Sequence, residues 1–387
     1  MTSLLAGKDG SMNIIAFPQN VIQGLARKFA DTYSNYLESP WEFWTFSFLT
    51  CLGNLVAPHV RLRSSLSIQP RLYTVLLGES ADDRKSECIK QTKAIFSEAF
   101  LQKFHPCETV GSGEALIQQL KKFPNTLLIY DELQAFFEKA RIPRSILFEC
   151  ANTLFEENRI QSHTKDRQIE VDSGHLSILG ASTIDTFMNM WNLKVAEMGF
   201  LNRLWLVQAR AEKRFPIPKP VPEEKKTFLK DELIRLFNDI SSKGVSVFKL
   251  TSEARTVFDD WYENSENSLF SKRLDAYGHR LMVLFCVNEG KSTVNSDIAE
   301  RVVKLLRWQK KMRKKFDPID AVGILARMEA SIRRAITQGP INERDLKRAV
   351  HYNRYPIHLY ERAKKDLLRT REMVFNPEIK KYVKGNF

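Results

Sequence analysis

An α/β fold is what this 387-residue sequence predicts, and three apolar runs carry that prediction. The first, Leu72, Tyr73, Val75, Leu76 and Leu77, ends at Gly78, and a short polar loop leads into a helix-type stretch from Lys85 to Phe104. The second, Asn125 to Glu132 (NTLLIYDE), reads as a strand buried on both faces and closes on Asp131 and Glu132. The third, Leu176 to Ala181 (LSILGA), ends in Ser182 and Thr183, with helix-type segments between the runs.

Arg71 to Ser86 (RLYTVLLGESADDRKS) has the strand, loop, helix order of a phosphate-binding loop. In such a loop backbone N–H groups and the helix N-terminus hold the phosphates, a lysine reaches the β and γ oxygens, and a hydroxyl meets Mg²⁺. Gly78, Lys85 and Ser86 are the candidates for those roles. The spacing is one residue longer than G-x-x-x-x-G-K-[ST], Arg84 stands where the second glycine belongs, and Asp82 and Asp83 bring negative charge to the loop. A carboxylate about 4 Å from a phosphate charge costs roughly 4 kcal/mol at an effective dielectric near 20. Both aspartates are therefore expected to point outward, or to contact metal, when nucleotide binds.

Asp131 is the candidate metal ligand and Glu132 the candidate base that orients or deprotonates an attacking water. That chemistry leads to the expectation that the acidic strand lies directly beside the loop strand. Without a phosphate the same residues read as a buried strand and an acidic helix start, the acid favoured by the helix dipole.

Composition bounds the rest. With 43% hydrophobic and 27% charged residues, the chain suits two or three globular domains. Trp41 to Val60, the longest apolar stretch, is broken by Glu42, Asn54 and Pro58 and reads as a packed helix, short of the ~20 apolar residues of a span. The opening MTSLLAGKDG lacks the pattern of a secretory leader. Cys51, Cys88, Cys107, Cys150 and Cys286 are scattered without C-x-x-C spacing, which argues against zinc and a disulfide framework. A reduced, cytoplasmic protein with no membrane contact is expected. From Arg301 onward there are 23 Lys and Arg against 9 Asp and Glu, whereas the first 300 residues carry 36 against 37. A basic terminal module on a neutral body points to a polyanion, most simply nucleic acid, with a solvated basic face as the alternative.

In chain order, residues 1–60 form an N-terminal helical region, with Ser39 and Pro40 opening its aromatic second helix. Residues 61–213 hold the strands just described. Within them ETVGSGEALIQQL gives a Ser112-capped helix, and RIQSHTKDRQIEV gives a hairpin. Lys165 and Arg167 at its tip, with His163, suit contact with a nucleic-acid backbone; a solvated tip is the other reading. Thr183 stands where a hydroxyl senses the γ-phosphate. Arg203, in MGFLNRLWLVQA, is a candidate finger on a neighbouring subunit's nucleotide, the alternative being a pair with a surface carboxylate.

A proline-rich linker spans 214–226, and four helices fill 227–317 as a lid. Arg280, within YGHRLMVLF, is a second candidate sensor, or else an ordinary surface arginine. Residues 318–387 carry a winged-helix signature. Its helices are expected at Met328–Thr337, Asn342–Val350 and Pro356–Met373, with Val374 to Val383 as the wing. The third helix offers His358, Arg362, Lys364, Lys365, Arg369 and Arg371, with Ile357, Leu359, Leu367 and Leu368 facing the core. Lacking the Asn and Gln that pair with adenine, the array suits phosphate contact; a protein-docking helix is the alternative.

Taken together, Phe17-Pro18, the strand into G…RKS, GSGEAL, LLIYDE, LSILGAST and GFLNR, followed by a helical lid, resemble the helicase-like P-loop NTPase family that accompanies primases on phages, plasmids and integrated elements. The resemblance covers roughly residues 14–316. It implies an AAA+/RecA-like body that binds ATP and Mg²⁺ through Lys85, Ser86, Asp131 and Glu132. Thr183 would act as sensor and Arg203 as the trans-acting arginine. It also implies a homo-oligomeric ring, usually a hexamer, moving on DNA, in a family often fused to an N-terminal primase; here a priming enzyme is expected as a separate chain. The acidic, lengthened loop keeps a second function open: a nonhydrolysing DNA-binding adaptor in which the P-loop fold is a scaffold.

Overall fold

The structure, a computed structural model, describes residues 14–66, 68–79, 83–163, 168–190, 199–266, 268, 271–316, 323–352 and 357–385. Two helices come first, α1 (Gly24–Tyr33) and α2 (Trp41–Val56). Because α2 is apolar around its whole circumference it sits inside the molecule, with every residue from Phe43 to Val56 buried. Its few polar groups tie it to the strands beside it: the Thr50 and Thr74 hydroxyls are 2.7 Å apart, and the Asn54 amide donates to the Thr126 carbonyl at 2.9 Å. The N-terminus of α1 is capped from far along the chain by Asn288, whose Oδ1 accepts the Ala26 N–H at 2.7 Å.

Strands and helices then alternate: β1 (Val60–Leu62), β2 (Tyr73–Gly78), α3 (Lys85–Ala99), β3 (His105–Cys107), α4 (Gly113–Lys122), β4 (Asn125–Tyr130), α5 (Gln134–Ala140) and α6 (Leu147–Glu156). Ser112 does cap α4, accepting the Ala115 N–H at 3.2 Å. The hairpin follows as β5 (Ile160–His163) and β6 (Gln168–Val171), antiparallel; Lys165 and Arg167 lie outside the described residues. Next come β7 (His175–Thr183), α7 (Ile184–Met190) and β8 (Trp205–Gln208).

Five of these strands make a parallel sheet in the order β3–β4–β7–β2–β8. One expectation is corrected here. β4 is not the neighbour of β2, because β7 pairs with both and separates them.

The segment between Arg210 and Pro222 is irregular, and α8 (Glu223–Ser241) opens immediately behind Pro222, inside the expected linker. Proline fits that place because a helix start has no partner for its missing N–H. The chain continues through β9 (Ser246–Leu250), α9 (Ser252–Glu263), α10 (Leu274–Asn288), β10 (Thr293–Val294) and α11 (Ser296–Lys315). The sequence reading missed a second sheet here, in which β9 pairs in parallel with both β1 and β10. Strands of two to five residues are too short to show a period. Residues 15–317 form one compact unit. The first helices and α8–α11 thus share a core with the five-stranded sheet instead of standing as separate bodies.

The division falls after Asp317. Beyond it, α12 (Gly323–Thr337), α13 (Glu343–Ala349), α14 (Ile357–Arg369) and the hairpin β11 (Met373–Asn376) and β12 (Lys381–Lys384) enclose their own core of Met328, Ile332, Leu346, Tyr360 and Leu367. An isolated bridge from Ile341 to Tyr382 extends the hairpin. The third helix ends at Arg369, earlier than expected, and turns Tyr360, Ala363 and Leu367 inward.

His175 opens β7 and is 3% exposed, its Nδ1 2.9 Å from Gln69 Oε1. Burial, helped by Arg71 and His59, pushes its pKa down to about 3. The folded state holds it neutral, whereas the unfolded chain protonates it near 6.5. Its contribution is therefore complete above about pH 6.5 and drains away as pH falls toward about 3. Denaturant midpoints should decline across that window, and His175→Gln should flatten the decline; an unchanged slope in the variant would count against this assignment.

Candidate functional site

Parallel strands end on one edge, so the pairing register fixes which residues meet there. Gly78 is opposite Thr183, and Tyr130 is opposite Gly180, which sends Asp131 and Glu132 out level with the end of β7. The Leu133 N–H donates to the Ala181 carbonyl at 2.8 Å and holds the acidic pair in place. Lys85 opens α3 at the same edge and is 8% exposed, its ammonium donating to the carbonyls of Gly78 at 3.1 Å and Glu79 at 2.7 Å. Burial lowers its pKa, against the charges of Asp83, Glu132 and Glu79. Lysine, helix N-terminus and Glu132 thus share one edge of the sheet.

Asp83 does not behave as expected. Its carboxylate points inward, fully buried, accepting the Glu79 N–H at 2.7 Å and the Ala211 N–H at 2.8 Å. A Cβ on Gly78 would come within 2.5 Å of Asp83 Oδ2, so this glycine is required by the aspartate it faces. An aspartate two residues before Lys85 therefore stands among loop donors that suit an anion. Asp82 lies outside the described residues. Arg84 adopts the left-handed conformation (φ 39°) that suits the glycine it replaces. It is held there by Glu38, which its Nε contacts, and by Ser39, whose hydroxyl donates to its carbonyl at 3.0 Å. Glu38 also accepts the Phe215 N–H at 2.6 Å. The chain after β8 is thereby tied to the loop through Asp83 and again through Glu38.

The acidic pair divides its surroundings. Glu132 acts on Lys85, whereas burial and the nearby Glu108 push the Asp131 carboxyl up, opposed by Lys93. Ser86 is exposed on the first turn of α3. The Thr183 hydroxyl is engaged as a cap of α7, accepting the Thr186 N–H at 3.1 Å and donating to its hydroxyl at 2.8 Å. Among the described residues no cluster of three or more His, Cys, Asp or Glu is poised to bind a metal by itself.

The remaining candidates lie elsewhere. Arg280 is a correction: it is buried at the opposite, N-terminal edge of the sheet, donating to the Arg71 carbonyl at 2.8 Å and packing 3.9 Å from the Phe155 ring centroid. Arg203, just before β8, sits at that same far edge, bonded to the Gly199 carbonyl at 2.8 Å and 3.4 Å from Glu156. It cannot reach the loop of its own chain. On α14, Arg362, Lys365 and Arg369 are exposed, the two arginines with Asp366 alongside. Lys364 is a second correction, since it turns back to Glu343 at 3.1 Å and Glu361 at 3.0 Å.

Two residues that the sequence reading missed belong to the site's surroundings. Lys315, at the end of α11, donates to the Gln208 side chain at 2.5 Å, and Gln208 is opposite Leu77. Burial pushes its pKa down to about 8. Within a run reading KKMRKK nothing distinguishes it. Glu38, likewise, carries no local signal. No family model and no curated protein matches this chain.

Asp83→Ala should lower unfolding stability by about 1–3 kcal/mol, since two buried N–H donors lose their acceptor. Gly78→Ala should be costly in the native sequence and much less so beside Asp83→Ala. A denaturation double-mutant cycle without coupling would contradict the contact.

Proposed function

We propose that this chain binds ATP and Mg²⁺ at the Lys85 loop and uses ATP hydrolysis to move on DNA as a homo-oligomeric ring, a helicase-like ATPase of a mobile element's replication or defence machinery. What carries this reading is the convergence of Gly78, Lys85, Glu132 and Thr183 on one edge of a parallel sheet beside a helix N-terminus. The intervening β7 supports it further. With strands about 4.8 Å apart, β4 ends roughly 10 Å from β2, which leaves room between lysine and glutamate for a γ-phosphate, its metal and a water.

In this P-loop NTPase reading the Lys85 ammonium would exchange its two carbonyls for phosphate oxygens, Ser86 and Asp131 would hold Mg²⁺, and Glu132 would orient or deprotonate water. Bound Mg²⁺ would neutralise charge on the β and γ oxygens. Asp83 must swing away from Glu79 and Ala211 first, for the electrostatic cost estimated above. The C-terminal unit reads as a winged helix that contacts DNA phosphates through Arg362, Lys365 and Arg369. No described helix is long and apolar enough to cross a membrane, and the reading is of a cytoplasmic machine.

The buried Asp83 favours a second reading, a nonhydrolysing DNA-binding adaptor with a degenerate loop. The two separate on nucleotide. For a motor, Lys85→Ala removes binding of an ATP analogue, and Glu132→Gln keeps it while DNA-stimulated turnover falls by about 10²- to 10⁴-fold. A wild type with no turnover above a buffer blank leaves the adaptor. For either reading, deleting residues 318–387 should abolish most salt-sensitive DNA affinity in a titration across ionic strength; unchanged affinity would make the basic unit incidental.

A further inference from the structure

The hairpin of β11 and β12 exposes apolar side chains on both of its faces. Val374, Phe375 and Ile379 are 43%, 46% and 47% exposed, and among the described residues after Asp317 no other large apolar side chain is as open. Val374 and Phe375 are neighbours on β11, so they point to opposite sides of the ribbon, and Ile379 lies in the turn that joins the strands. A ribbon that docks on one protein surface needs a single apolar face and a polar back. This one is a blade, apolar on each side and at its tip.

The blade is held firmly at its base. Met373 is buried in the core of the C-terminal unit, and the Phe375 ring rests against the Tyr382 ring of the opposite strand, centroids 5.2 Å apart. Tyr382 is tied in turn to Ile341 by two backbone hydrogen bonds of 2.9 and 2.7 Å. Where the strands leave the core, Arg333 holds Glu372 at 2.5 Å. The Gly385 N–H donates to the Glu372 carbonyl at 2.9 Å, and a Cβ on Gly385 would lie 1.8 Å from the Arg371 carbonyl oxygen, so only glycine closes the ribbon. In the turn, Asn376 Oδ1 accepts the N–H groups of Glu378 at 3.0 Å and Ile379 at 3.3 Å. Positive charge surrounds the apolar groups: Arg371, Lys380 and Lys384 are exposed and Lys381 half-buried, and among the described residues none of the four is in an ion pair. Of the hairpin's acids, Glu372 is engaged by Arg333, which leaves Glu378 in the turn.

We infer that this hairpin is a wedge for nucleic-acid bases, and that its ligand is the junction where a DNA duplex opens into single strands. This rests on the reading of the C-terminal unit as DNA-binding and deepens it: the α14 cations hold backbone, and the hairpin senses unpaired bases. Bases present flat apolar faces beside a phosphate chain, which is the combination that an apolar blade flanked by lysines complements. Phe and Ile side chains unstack base steps when they insert between them, and aromatic stacking accepts any base. Entry into a closed duplex must break a stack, whereas a junction offers a base whose outer face is already bare. The last base pair thus stacks on Phe375 and Ile379 while Lys380, Lys381 and Lys384 meet phosphates of the parting strands. An acidic protein would satisfy the lysines but leave one side of the blade uncovered. Both α14 and the hairpin rest on the same small core, so phosphate and base contacts come from one body.

The test uses the full-length chain and two DNA probes of equal duplex length, one blunt and one forked, each with 2-aminopurine at the last base pair. The wild type should bind the fork about tenfold or more tightly than the blunt duplex, and the fork's 2-aminopurine should brighten as it leaves its stack. Phe375→Ala with Ile379→Ala should reduce fork affinity to the blunt level and abolish the brightening, with blunt-duplex affinity and its salt dependence unchanged. Phe375→Trp should keep the preference. Because the replaced side chains are exposed, the thermal midpoint of the double variant should match wild type. A wild type without fork preference, or a double variant that keeps it, would overturn the wedge and leave the blade to a protein partner; equal loss on both probes would overturn it as well. A wild type that binds neither probe would instead remove the DNA-binding reading on which the wedge rests.

Discussion

The pairing of β2 with β7 is the constraint on which the rest depends. Both strands are buried on both faces, and their register puts Gly78 opposite Thr183. A slip by one residue would turn every side chain of β2 to the other face and carry the loop with it. The apolar helix α2 holds that register, packing against the strands and bonding to Thr74 and Thr126. Because neighbouring strands are parallel, this one register decides which groups share an edge: the loop lysine, the acidic pair and the α7 cap on one side, the arginines on the other.

The two edges solve opposite electrostatic problems. At the C-terminal edge the partial positive charge of the α3 N-terminus and the loop N–H groups is met from within the chain, by the Asp83 carboxylate. At the N-terminal edge, guanidiniums outnumber carboxylates and lean on backbone carbonyls, with Glu156 shared among them. Each edge is thus held in the free chain by one acidic side chain.

The C-terminal unit stands on different physics. Its core is small, and its helices are fixed by ion pairs as well as by apolar contact; Glu343 alone gathers Lys347, Lys364 and the Tyr360 hydroxyl. Those pairs take cations away from the surface. The outward charge of α14 is accordingly smaller than its sequence suggests, and it is concentrated on Arg362, Lys365 and Arg369.

By itself the sequence determined the α/β class, the strand, loop and helix from Tyr73 onward, the acidic end of β4, the aromatic helix α2 and the start of a basic terminal module, because apolar period, caps and charge runs are local properties. Strand order was beyond it: nothing local in NTLLIYDE says that β7 intervenes. The same holds for the short strands β1, β9 and β10, and for the fates of Asp83, Arg280 and Lys364, whose roles rest on partners distant in the chain or on which way a side chain turns. An arginine in a helix reads alike whether it meets solvent, a carbonyl or a carboxylate. Only the packed chain chooses, since burial makes the wrong partner too costly to keep.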